Sequence, residues 1–249
     1  VISQAVSVLL AVIVLKKKQD STKLVFRQIR FDVPLLKNML AIGVPAGIQS
    51  VMYTISNLII QASINSFGTD TAAAWAAYSK LDQCYWMVVN AFGLAITTFV
   101  GQNFGAGRID RAKRGIKVCM GMASGTTIVL TAIYLLFGDY GLLLFTTDRG
   151  VIDIGIEIIM QITPWFISFV PIELLSGAIR GAGKSLVPTV ILIFGVCGLR
   201  IIWLLIVPFV MPTLFGVLAS YPISWVISAV LFIAYYLKGD IFMEKRRAA

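Results

Sequence analysis

Between residues 41 and 237 the chain reads as six long apolar runs, roughly 41–66, 72–100, 117–137, 153–177, 187–211 and 214–237. Short breaks divide them, and the breaks carry turn chemistry: "SFGTD", "GQNFGAGRID", "FGDYG", "GAGKS" and "MPTLFG", with "KGD" after the last. A helix crosses a bilayer with about 20 mainly apolar residues, and in lipid only helices and closed barrels satisfy their own backbone groups. Barrel strands are about 10 residues long and alternate apolar with polar positions. These runs are too long and do not alternate, so the pattern dictates an all-α integral membrane protein. Composition agrees: 58% of residues are hydrophobic and 13% charged, whereas a soluble domain is about a quarter charged.

Charge is distributed by loop. Lys16–Lys18, Lys23, Arg27, Arg30 and Lys37 precede residue 41; Arg108, Arg111, Lys113, Arg114 and Lys117 follow the second long run. Arg180 and Lys184 follow the fourth, and Lys238, Lys245, Arg246 and Arg247 the sixth, while the intervening loops hold only Arg149. Every second loop is basic, which by the positive-inside rule places those loops and the C-terminus in the cytoplasm of a multi-pass plasma-membrane protein. The net charge of +9 therefore reports topology and contact with anionic membrane lipid. A nucleic-acid partner would call for a continuous basic patch on a soluble face.

Two apparent motifs dissolve on inspection. The stretch "GAIRGAGKS" resembles a phosphate-binding loop, but G-x-x-x-x-G-K-[ST] ending at Gly183-Lys184-Ser185 needs a glycine where Ala178 stands. A strand should also precede such a loop, and here a membrane helix does. Gly181 and Gly183 read instead as a helix end and turn, with Arg180 and Lys184 holding the membrane interface. Cys84, Cys119 and Cys197 lack metal-ligand spacing and the chain has no histidine, so they read as small packing residues and no metal or other cofactor is expected.

Four stretches, taken in order, resemble the multidrug and toxic compound extrusion (MATE) family: "AIGVPAGIQS" with Pro45; "AAWAAYSKLDQ"; "GQNFGAGRIDRAKRG" with Gly101, Gln102, Asn103, Gly105 and Gly107; and "GAIRGAGKSLVPT" with Arg180 and Gly181, followed by Arg200. The resemblance implies a twelve-helix fold of two six-helix lobes that exports organic cations and other xenobiotics in exchange for protons or sodium. On that view residues 1–15 are the end of helix six and 16–40 a cytoplasmic inter-lobe linker. Residues 41–237 are then the six-helix C-terminal lobe and 238–249 a cytoplasmic basic tail. The partner lobe is the N-terminal one, missing from this chain. Within the linker, Leu24, Val25, Phe26, Ile29 and Phe31 around Arg27 and Arg30 suggest an interfacial helix, with an irregular tether as the alternative. One branch of the family has a Glu eight residues after the proline and an Asp eleven before the turn arginine. Here those positions are Tyr53 and Phe169, so that cation site does not carry over.

Ionisable residues inside spans mark function by default. Away from span ends there are four: Lys80, Asp82, Glu173 and Arg200. They read either as an internal charge network that fixes helix packing, or as a site in which one carboxylate carries the coupling ion. With no histidine, Glu173 and Asp82 are the proton-carrier candidates of this lobe. Glu173 comes first, because Pro171 two residues earlier frees a backbone carbonyl beside it.

The cavity candidates come from spacing. Gln49, Tyr53, Asn57 and Gln61 recur every four residues and share one helix face, with Ser50 and Thr54 beside them. Asp82, Trp86 and Asn90 repeat the pattern in the next span. Such stripes serve either interhelical hydrogen bonds, at about 0.6 kcal/mol each, or the wall of an aqueous cavity where an aromatic face meets an organic cation. Trp165 is a weaker aromatic candidate, and Trp203 and Trp225 read as packing or lipid-facing. Pro45, Pro164, Pro171 and Pro222 permit bending. The leading expectation is cation-coupled efflux, ahead of a flippase for a lipid-linked saccharide or an inactive half-transporter. A membrane-embedded enzyme lacks any nucleophile–base or metal constellation here.

Overall fold

The computed structural model of the chain describes residues 2–17, 25 and 32–238. It falls into two compact units, Val1–Ala41 and Ile42–Ala249. The first holds α1 (Ile2–Lys17) and the opening turns of α2 (Val33–Asn65). The remaining spans are α3 (Thr69–Gly105), α4 (Ile109–Leu143), α5 with α6 (Arg149–Ile162 and Phe166–Gly181), α7 with α8 (Leu186–Ile191 and Leu199–Val210), and α9 with α10 (Leu214–Leu218 and Ser220–Leu237). A 3₁₀ turn over Thr163–Trp165 joins α5 to α6, and a π-helical stretch over Leu192–Gly198 joins α7 to α8. Six helical segments of the described residues are thus long and apolar enough to cross a membrane, in the order the hydropathy pattern predicts.

The observed helices run several residues past the apolar runs at most of their ends. The clearest case is α2, which begins at Val33 inside the stretch expected to be linker. Asp32 is the reason: its Oδ1 accepts the Leu35 backbone N–H at 3.0 Å, a side-chain cap, and Pro34 sits in the first turn, where its missing N–H does no harm. The expected interfacial helix and nearly all of the basic tail lie outside the described residues.

Both "GAG" turns close a helix in the same way. At the end of α6, Lys184 N–H donates to Ile179 O (3.1 Å) and Gly183 N–H to Arg180 O (2.9 Å). At the end of α3, Arg108 N–H donates to Asn103 O (2.8 Å) and Gly107 N–H to Phe104 O (3.0 Å). Gly183 (φ +87°) and Gly107 (φ +74°) supply the left-handed residue that this paired-bond ending requires. The stretch "GAGKS" is therefore a helix terminus on α6, with no strand before it.

The centre of the second unit is the crossing of α3 and α6, its most extensively packed helix pair. A Cβ added at Gly177 would lie 2.9 Å from Gly93 O, and one at Gly181 would lie 2.5 Å from Thr97 O and 3.1 Å from Gly101 N. The backbones therefore touch directly, through a small-residue spacing of four on each helix (Gly93, Thr97, Gly101 against Gly177, Gly181). Between membrane helices such close approach supplies the van der Waals contact that burial from water supplies elsewhere. Above the crossing, Tyr85 stacks on Phe166 with ring centroids 3.9 Å apart, and its hydroxyl donates to Phe166 O at 2.9 Å. The outward faces are apolar to an extent water would not tolerate: Phe209 is 88% exposed and Met87, Leu94 and Phe194 more than 70%.

A side chain at Gly181 has only backbone to push against. Gly181→Val is expected to destabilise the fold by about 1–3 kcal/mol, read as a lower melting temperature of the purified protein in detergent. Gly121→Ala, where an added Cβ meets nothing within 4 Å, should leave that temperature unchanged.

Candidate functional site

A cleft of about 590 Å³ opens within the second unit, and five of its six spans line it. From α2 come Gln49, Tyr53, Asn57 and Gln61; from α3 Trp75, Ser79, Asp82, Trp86 and Asn90; from α6 Phe169, Glu173 and Arg180. The fifth span gives Leu192 and Arg200, and α10 gives Tyr221 and Trp225. The structure thus brings both stripes read from the sequence, each spaced by four residues, onto one cleft.

One wall is aromatic. Trp225 is 1% exposed and meets Tyr221 (5.4 Å), Phe169 (5.6 Å) and Trp86 (6.2 Å) edge-on. Trp75 continues the cluster to Tyr221 at 6.0 Å. Within it, Trp86 Nε1–H donates to Asp82 Oδ2 at 2.5 Å, so each orients the other, and Asp82 Oδ1 has no partner. Asn90 Nδ2 turns back to Trp86 O at 2.7 Å, and Gln61 Nε2 to Asn65 Oδ1 at 2.8 Å.

The basic groups are held differently. Arg200 is 3% exposed; its Cζ stands 4.2 Å from the Tyr221 ring centroid, Nη2 reaches Ser224 Oγ at 3.5 Å, and Nε lacks a partner. Arg180 Nη2 donates to Ser176 Oγ at 3.0 Å. Glu173 lies against α3, with its Oε1 in contact with the place a Cβ on Gly93 would take. Asp82 Oδ1 and Arg200 Nε are thus buried polar atoms without a hydrogen-bond partner on residues that line the cleft.

Three expectations need correction. Lys80 is exposed and stands off the cleft, and among the described residues no salt bridge joins any two of Lys80, Asp82, Glu173 and Arg200. The charges on the cleft are Asp82, Glu173, Arg180 and Arg200, so Arg180 stands where Lys80 was expected. Trp225, read as packing or lipid-facing, is the hub of the aromatic wall. Trp165 lies elsewhere, 44% exposed on an outer groove with Phe215, and Trp203 is half-buried with its Nε1 donating to Gly216 O at 2.8 Å. Trp75, Ser79 and Tyr221 were not singled out in the sequence, although Trp75 and Ser79 extend the Asp82–Trp86–Asn90 stripe backward and Tyr221 lies four residues before Trp225.

Comparison with known proteins follows the same outline. The MatE family model matches residues 45–206. The probable multidrug resistance protein YoeA of Bacillus subtilis is 28% identical over 241 residues, 95% of this chain and 52% of YoeA. YpnP of the same organism, also a probable multidrug resistance protein, is 26% identical over 59% of this chain and 33% of its own. A crystal structure of MATE in complex with MaL6 superposes with a TM-score of 0.87 at 16% identity, covering 98% of this chain and 56% of that one. The chain spans about half the length of YoeA and of that crystallised transporter.

Because Glu173 is seated where residue 93 has no side chain, Gly93→Ala should displace its carboxylate without disturbing the backbone crossing. The expected result is a several-fold change in the rate at which a hydrophobic carbodiimide modifies Glu173, followed by mass spectrometry. Gly43→Ala, with nothing within 4 Å of the added Cβ, should leave the rate as it is.

Proposed function

Since the chain belongs to the MatE family, we propose that it is one six-helix lobe of a secondary efflux transporter, working with an N-terminal lobe. In this reading the transporter exports organic cations and other xenobiotics in exchange for protons or sodium by alternating access. The cleft carries the argument: aromatic faces, two carboxylates and neutral polar groups converge on one space inside a lipid-facing bundle. Trp86, Trp225 and Tyr221 offer π faces to a flat cation, while Asn57, Gln61 and Asn90 offer hydrogen bonds without fixing one substrate shape.

Coupling follows from competition. A carboxylate that takes up a proton loses the charge by which it holds an organic cation, so proton and substrate exclude one another at that group. Glu173 is the proposed coupling residue and Asp82, already bonded to Trp86, the substrate-facing one. A flippase for a lipid-linked pyrophosphate would need a net basic cleft. Two carboxylates against two guanidiniums disfavour it.

The basic loops set the orientation in this proposal, with the α3–α4 turn and the C-terminus in the cytoplasm. In a background without Cys84, Cys119 and Cys197, a single cysteine at Arg114 should react with an impermeant maleimide only from the cytoplasmic side, and one at Arg149 only from outside. The reverse pattern would invert the topology.

The functional test is dye-cation efflux in everted vesicles carrying both lobes, with proton and sodium gradients imposed in turn. Glu173→Gln is expected to abolish gradient-driven efflux at normal membrane levels. Intact efflux in that variant would move the coupling ion to the N-terminal lobe and leave this one to shape the cavity.

A further inference from the structure

About a third of a turn round α3 from Asp82, Trp86 and Asn90, an open groove of about 600 Å³ runs between α3 and α4. Phe92 and Phe99 form one side and Met122 closes the far end of the other. Gly115 makes the floor: the Phe99 ring is in contact with the position its Cβ would occupy. The ring so placed lies under the Arg111 guanidinium, whose Cζ is 5.8 Å from its centroid. Arg114, one turn on, stands beside it at the same end, and no acidic side chain lines the groove.

Length and polarity point to one kind of occupant. Arg111 to Met122 is eleven residues, about 16 Å at 1.5 Å per residue, or roughly half of a hydrocarbon core of about 30 Å. The groove is therefore one leaflet deep, apolar along its length and cationic only at its mouth. We infer that it holds a single anionic phospholipid, with the phosphate at Arg111 and Arg114 and an acyl chain laid along the Phe99 ring toward Met122. Basic pockets between helices on the cytoplasmic side suit such headgroups. A choline headgroup would bring a positive charge against the same two arginines. The site rests on the proposed topology, which puts this end of α4 in the cytoplasmic leaflet, and it lies on a different face of α3 from the transport cleft.

Native mass spectrometry of the purified two-lobe protein, offered equal amounts of phosphatidylglycerol and phosphatidylcholine of the same chain length, tests it without measuring transport. Phosphatidylglycerol is expected to be retained at least about tenfold over phosphatidylcholine, from two arginines near the headgroup. The pair Arg111→Gln with Arg114→Gln should erase that preference. Ala95→Leu, which fills the groove from an exposed position, should lower retention of both lipids, and Arg149→Gln should change nothing. Equal retention by the wild type, or a preference that survives the double glutamine variant, would overturn the site. Unchanged retention in Ala95→Leu would overturn the acyl groove and place the lipid outside it. Failure of the efflux experiment would leave each of these outcomes readable.

Discussion

Where α3 crosses α6 the α6 side has no side chain at Gly177 and Gly181 to hold the two backbones apart. In a bilayer, helices gain nothing by leaving one apolar surroundings for another, so the contact must come from closeness itself. Gly177 and Gly181 bring the α6 backbone against Gly93, Thr97 and Gly101, and the other spans are arranged around that seam. The same absence of side chains makes the functional geometry. Glu173 folds into the space over Gly93, one turn before Gly177, so packing and the placement of a carboxylate are a single event. A bulkier residue at 93 would have to choose between them.

Much of this was legible from spacing. Six apolar runs gave six spans, and two stripes at intervals of four gave two walls of one cleft. What the linear reading lacked was azimuth. Lys80 and Asp82 are both deep in one apolar run, but two residues are about 200° on a helix, so one faces the cleft and the other does not. Arg180 was not read as a cleft residue because it stands at the end of its helix. Side chains tilt toward the helix N-terminus, and a long arginine at the last turn of α6 reaches back one turn to Ser176 and so lines the cleft. Trp225 was hidden because its companion on α10 is Tyr221, an aromatic that reads as packing until the rest of the cleft is seen. The early start of α2 was readable in Asp32-Val33-Pro34, a cap followed by a first-turn proline.

The cleft is balanced in charge yet uneven in how each charge is held. Asp82 is tied to an indole and Arg200 is laid on a phenol ring, each with one polar atom left over. Tyr53 and Phe169, which occupy the positions where one branch of the family resembled carries acids, both line the same wall space. The carboxylates on the cleft stand instead on α3 and one turn further along α6.

The π-helical stretch between α7 and α8 sets the register of the fifth span. A π turn accommodates one residue more than the α-helical path through the same space. Deleting one residue within Leu192–Gly198 would let the segment relax to α geometry with its flanks still in phase. The same deletion in α7 would rotate everything beyond it by about 100° and swing Arg200 off the Tyr221 ring. The span therefore has one short section where the length of the gene can change by a codon and the guanidinium stays where it is, set directly beside a residue whose direction matters most.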